Sequence, residues 1–84
     1  MNHIEISPDI VMKVKSAFIR CNTLKKFYIT FIDDADRKEH FMSDLINAKF
    51  EYDKITRFML KEYNLSDSVQ WALNFHTGVL TYGE

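Results

Sequence analysis

Apolar residues between positions 41 and 60 recur at the spacing of an α-helix. One set advances alternately by four and three residues, which places its members along one side of a helix. We call this set the central seam: Phe41, Leu45, Ala48, Tyr52, Ile55 and Met59. A second apolar set lies off the seam and consists of Met42, Ile46, Phe50, Phe58 and Leu60. Because one buried stripe is enough to pack a helix, the second set predicts a further contact.

Charged residues support one long helix from about residue 35 to residue 63. Acidic Asp36 and Glu39 lie near its start and basic Arg57 and Lys61 near its end, as the helix dipole favours. Such a helix would be about 40 Å long, which exceeds the width expected of so small a domain. We therefore expect it either to break near Asn47 or to project toward a partner.

An earlier helix is predicted to begin at Ser7-Pro8-Asp9. Serine is a favoured N-cap residue, proline fits the first helical position, and aspartate suits the positive end of the helix dipole. The apolar side of this helix is formed by Ile10, Val14, Ala17 and Cys21. We expect the helix to end near Cys21-Asn22, before a further element that begins at Thr23.

Two segments fit either a helix or a strand. Residues 24–32 have helical spacing, which we favour, but residues 26–32 are also rich in strand-forming side chains. For residues 69–76 we favour a helix closed by Gly78 in the left-handed conformation. The alternative there is a strand, because Val69, Trp71, Leu73 and Phe75 alternate with Gln70, Ala72, Asn74 and His76, and residues 79–82 could return as its hairpin partner.

These elements predict one domain over residues 1–84. The favoured fold is mainly α, with three or four helices, one long central helix and short extended termini. The alternative is an α+β fold with a C-terminal hairpin at 69–82 and a strand at 26–32. The sequence contains only two glycines and one proline, the residues that most often form turns, so we expect few long turns.

Composition indicates a protein of the cytoplasm. Cys21 is the single cysteine, so no disulfide can form within the chain. No apolar run approaches the 18 residues expected of a membrane span, and the N-terminal residues do not resemble a secretion signal. A domain of this size is expected to be only modestly stable unless a disulfide, a metal or oligomerisation stabilises it.

Catalytic motifs are missing from the sequence, so we predict that the protein is not an enzyme and has no cofactor. Two glycines cannot build the phosphate-binding loops of nucleotide enzymes. Cys21 fits a small core residue better than a nucleophile. Asp36, His40 and Asp44 share one helical side, but aspartate is also common at a helix start, and we assign no metal site to them.

Charge is divided unevenly along the chain. Residues 1–32 hold five basic and two acidic residues, a net of +3, and residues 33–84 hold six basic and ten acidic residues, a net of −4. An alternative function is therefore a small helical DNA-binding regulator with a helix–turn–helix junction at Asn22-Thr23. Its phosphate contacts would be Lys13, Lys15, Arg20, Lys25 and Lys26. A sequence pI near 6.3 argues against it.

Aromatic residues favour a protein-binding function. Twelve of the 84 residues are Phe, Tyr or Trp, which is more than a small helical core needs, and such residues are enriched at interfaces. The candidate partner-binding residues are Phe50, Tyr52, Phe58, Trp71, Phe75 and Tyr82. A homodimer through the central seam is also predicted.

The origin of the chain is suggested by its amino-acid usage. Ile, Lys, Asn, Tyr and Phe, which have A/T-rich codons, supply 32 of the 84 residues, as in many genes of phages and mobile elements. The predicted function is stoichiometric binding to a protein target by a phage- or mobile-element inhibitor, antitoxin or immunity-type factor with an anti-defence role.

Overall fold

The computed structural model describes residues 2–83, which form a helical hairpin on a small sheet. The elements are β1 (Asn2–Glu5), α1 (Pro8–Thr30), α2 (Ala35–Glu62), β2 (Gln70–Leu73) and β3 (Val79–Gly83). The sheet is antiparallel, with β3 between β1 and β2. The fold is mainly α with a small β part. The prediction of three or four helices was wrong, because the described residues form two.

Helix α1 begins at Pro8, as predicted, but it does not end near Cys21-Asn22. It continues to Thr30, so residues 24–30 are helical, as favoured, and the alternative strand at 26–32 was wrong. Asn22 and Thr23 disfavour a helix only moderately. Because no glycine or proline lies beside them, the helix continues through both residues. The helix ends where the Phe31 N–H donates to the Phe27 carbonyl.

Helix α2 confirms the prediction of one long helix. It runs unbroken through Asn47 from Ala35 to Glu62, and the molecule measures 44 Å along its longest axis. The Asp34 carboxylate caps its start by accepting from the Arg37 N–H at 3.2 Å. Asn64, with a φ of 58°, adopts the left-handed conformation that often follows a helix C-terminus.

Residues 69–76 form a strand and a turn rather than the favoured helix, so that prediction was wrong and the alternative hairpin at 69–82 is confirmed. Strands β2 and β3 pair antiparallel, with Trp71 opposite Tyr82. The connecting turn is closed by hydrogen bonds from the His76 and Thr77 N–H groups to Asn74 Oδ1, at 2.9 and 3.1 Å. The predicted extended N-terminus is also present and pairs with β3 as β1.

The hydrophobic core lies between the sheet and the adjoining half of the helical hairpin. Its buried members are Ile6, Val11, Val14, Met59, Leu60 and Leu80. The residues of α1 in this cluster lie at or before Val14, and those of α2 at or after Tyr52. The far half of the hairpin therefore extends beyond the sheet and is held by contacts between the two helices.

Candidate protein-binding surfaces

The central seam of α2 packs against α1 of the same chain. Leu45, Ala48 and Met59 are buried. At the far end of the hairpin, Phe41 stacks on Phe27 and Phe31 with ring centroids 5.4 and 5.5 Å away. The seam is therefore not free to receive a second chain, and the predicted homodimer contact through it was wrong.

Tyr52, one of the candidate partner-binding residues, lies within this helix–helix contact. Its ring centroid is 6.2 Å from that of Phe18 on α1. Burial raises the pKa of the Tyr52 phenol above its ordinary value of 10.0, and the nearby Cys21 thiol raises it further. The phenol is therefore neutral at physiological pH and forms part of the protein's own packing.

The residues off the seam point elsewhere, as the helical spacing predicts. Leu60 is the exception, because it is buried in the core beside Met59. The exposed members are Met42, Ile46, Phe50 and Phe58. Phe50 is 69% exposed and Phe58 is 51% exposed, so no described residue of the chain covers either ring fully. Two separate surfaces of the hairpin carry these side chains.

The first surface lies on the side of α2 that faces away from α1. Ile46 and Phe50 are each two residues from the buried Ala48, which places them about 200° around the helix from it. Glu39 precedes Ile46 by seven residues and Arg57 follows Phe50 by seven, so all four lie close to one line along α2. We call this line, with Met42 beside it, the outer face.

The second surface is a groove between α1 and α2 with a volume of about 390 Å³. Its lining consists of Met12, Lys13, Ser16, Ala17, Arg20, Ala48, Glu51 and Ile55. Ala17 and Ala48 are buried, so small side chains form the floor where the helices approach each other. Met12, at 62% exposed, stands on the rim, and Phe58 on the next turn of α2 neighbours Ile55.

The groove lies on the side of the hairpin opposite the sheet. Val11 packs near Gly78, since a Cβ atom at Gly78 would lie 3.7 Å from Val11 Cγ2, and Phe18 contacts Phe75 at 5.4 Å. Val11 and Phe18 therefore mark the sheet side of α1. Lys13 follows Val11 by two residues and Arg20 follows Phe18 by two, so both cations lie about 200° around the helix from the sheet side. The sheet therefore leaves the groove open.

The remaining candidate aromatics belong mostly to the fold. Trp71, Phe75 and Tyr82 are partly buried and pack against the core cluster. Trp71 and Tyr82 also line a wide hollow of about 1270 Å³ beside β2 and the loop that precedes it. Of the six candidate partner-binding residues, Phe50 and Phe58 are thus the two with largely free side chains. The groove itself was not recognised from the sequence, because Met12, Ala17 and Ala48 meet only when the two helices pair.

The five candidate DNA-contacting residues are exposed but do not form one basic stripe. Lys13 and Arg20 share the groove side of α1, whereas Lys15 and Lys26 lie on the opposite side, with Lys25 between the two directions. The predicted helix–turn–helix junction was wrong as well, since residues 22 and 23 lie inside α1.

The candidate metal-ligating residues make one weak contact. His40 Nε2 lies 3.5 Å from Asp44 Oδ2, with both side chains exposed. Across residues 2–83 no cluster of three or more His, Cys, Asp or Glu side chains has the geometry to hold a metal ion. In the same part of the chain, no helix combines the length and apolarity needed to cross a membrane.

Comparison with known proteins found no match to this chain among family models, curated proteins or solved structures.

Proposed function

We propose that this protein is a non-enzymatic module that binds a protein target stoichiometrically through the groove between α1 and α2. The observation that carries the proposal is an open, largely apolar groove whose lining includes the exposed side chain of Met12. The exposed Phe58 lies one turn along α2 from the lining residue Ile55. Large exposed apolar side chains grouped at a concave site are typical of protein contacts rather than of free surface.

The groove also indicates the chemistry of its target. A floor of Ala17 and Ala48 leaves room for an apolar side chain of the partner. Lys13 and Arg20 border one side, and within residues 2–83 neither forms an ion pair. Glu51 lines the α2 side of the same groove, so the inferred target is a protein segment with an apolar anchor and an acidic group placed toward α1, which these two cations would bind.

Stoichiometric binding by so small a chain fits an inhibitor, antitoxin or immunity-type factor. Such a protein acts by occupying a surface of its target and needs no catalytic group. The A/T-rich amino-acid usage supports a phage or mobile-element origin. In that setting the target would be a host defence protein or a toxin made in the same cell.

The test is capture from a bacterial lysate with matched variants, followed by mass spectrometry. Wild type and Ile29→Lys, which changes an equally exposed side chain near the far end of α1, should retain the same protein in equimolar amount. Met12→Lys and Phe58→Lys should lose it while keeping the helical circular dichroism spectrum. A protein retained equally by all four chains, or no equimolar partner of wild type, would contradict the proposal.

A further inference from the structure

We propose that the outer face of α2 binds a second copy of this chain, with the two α2 helices antiparallel about a two-fold axis between Ile46 and Phe50. This surface is separate from the groove. Its side chains project away from α1, whereas the groove lies between the helices. Dimerisation and target binding therefore depend on different residues and can fail independently.

The charges along the outer face are complementary to themselves in this orientation. Acidic Glu39 lies toward the start of the line and basic Arg57 toward its end, with the apolar Ile46 and Phe50 between them. An antiparallel copy about the midpoint of Ile46 and Phe50 brings Glu39 opposite Arg57 of the second copy. The two-fold axis repeats this pair at the other end. A parallel copy would bring Glu39 opposite Glu39, which disfavours that arrangement.

The pairing uses donor groups that the single chain leaves available. Within the chain, Arg57 Nε lies 3.2 Å from Asp53 Oδ2, and both side chains remain more than half exposed. A guanidinium carries five N–H donors, so its terminal nitrogens can donate to Glu39 of the second copy while Nε keeps its contact with Asp53.

The same arrangement covers the apolar centre of the outer face. Ile46, at 47% exposed, meets Phe50 of the second copy, and Phe50 meets Ile46 of the second copy. Phe50 is thus a large aromatic side chain near the centre of the contact, which is the position that interface hot spots usually occupy.

Sedimentation equilibrium over a concentration series tests the dimer with purified protein. Wild type should sediment at twice the 10.0 kDa mass of the chain, with a micromolar dissociation constant. Phe50→Glu should raise that constant at least about 30-fold, because it places a charge at the centre of the contact on both copies. The matched control, Phe58→Glu, alters a phenylalanine of the same helix outside the outer face and should leave the dimer unchanged.

A charge exchange tests the antiparallel register. Glu39→Arg and Arg57→Glu should each weaken the dimer, and the double variant should restore it, because the pair between chains is rebuilt with opposite polarity. The contact between Asp53 and residue 57 stays disrupted in the double variant, so recovery can come only from the second copy. A monomeric wild type, a dimer that tolerates Phe50→Glu, or a double variant without recovery would each overturn the proposal.

Discussion

The Tyr63 hydroxyl accepts a hydrogen bond of 2.7 Å from the backbone N–H of Ser7. This contact joins the C-cap of α2 to the N-cap of α1, two positions that are 56 residues apart. The Ser7 side chain makes no capping hydrogen bond, contrary to the usual role of serine before a helix. The tyrosine thus fixes the start of α1 against the end of α2 at the base of the hairpin.

Removing this hydroxyl should lower the stability of the domain. Tyr63→Phe leaves the partly buried Ser7 N–H without its partner, which costs about 1 kcal/mol of unfolding free energy. In a domain of this size the melting temperature should fall by about 4–8 °C. Tyr28→Phe is the matched control, since the Tyr28 hydroxyl has no hydrogen bond among residues 2–83. Equal melting temperatures for the two variants would show that the Tyr63 contact contributes nothing.

Gly78 should resist substitution for reasons of backbone conformation. Its φ of 72° lies in the left-handed region, where an L-residue costs about 1–2 kcal/mol. A Cβ atom would meet Val11 Cγ2 at an ordinary 3.7 Å, so the loss reflects strain rather than a clash. Chemical denaturation should therefore show Gly78→Ala to be less stable than wild type. Gly83→Ala, in the extended strand β3, serves as control, and an equal loss there would contradict this explanation.

A helix and a β-hairpin at residues 69–76 both place the same requirement on Gly78. A helix closed by glycine needs a positive φ at this residue, and so does the observed hairpin turn. The cap signal therefore cannot separate the two. The alternation of half-buried Trp71 and Leu73 with exposed Gln70 and Ala72 was the informative signal. This alternation predicts a strand only if other strands are available to pair with it, and here β3 pairs with β2 while β1 completes the sheet.

Stability should decline in alkaline solution through Tyr52. Its pKa is raised in the folded protein, so the folded state holds the proton at pH values where the unfolded chain releases it. The stabilisation is therefore fully present below the unfolded pKa, near 10.0, and is lost as the pH rises through the folded value. Tyr52→Phe should flatten this decline in urea titrations at successive pH values. A decline as steep in the variant would assign it to other groups.

The far half of the hairpin should open more readily than its base. The core cluster includes no residue of α1 beyond Val14 and none of α2 before Tyr52, so residues around Phe27 and Phe41 lie outside it and are held by contacts between the two helices. Hydrogen exchange should show faster exchange of amides near Phe27 and Phe41 than near Val14 and Met59. Uniform protection along both helices would mean that the hairpin opens as a single unit.

Periodicity was sufficient to separate seam from off-seam residues in α2, but not to identify what covers each. Phe50 and Phe58 are exposed as the spacing predicts. The seam is predicted to bind a second chain, and a first helix that ends near residue 22 would leave part of the seam uncovered. Since α1 reaches Thr30, it covers Leu45 and Phe41 as well. The position of one helix end thus decides whether the seam is covered by the chain itself.

Calorimetric titration of the captured target is the measurement that tests the binding function most directly. Wild type should bind with one target per chain, and Met12→Lys and Phe58→Lys should each weaken binding by at least about 30-fold. Ile29→Lys should bind as wild type does, and all three variants should melt within about 2 °C of it, because these side chains are exposed. Undiminished binding by Met12→Lys and Phe58→Lys would contradict the assignment of the groove as the target-binding site.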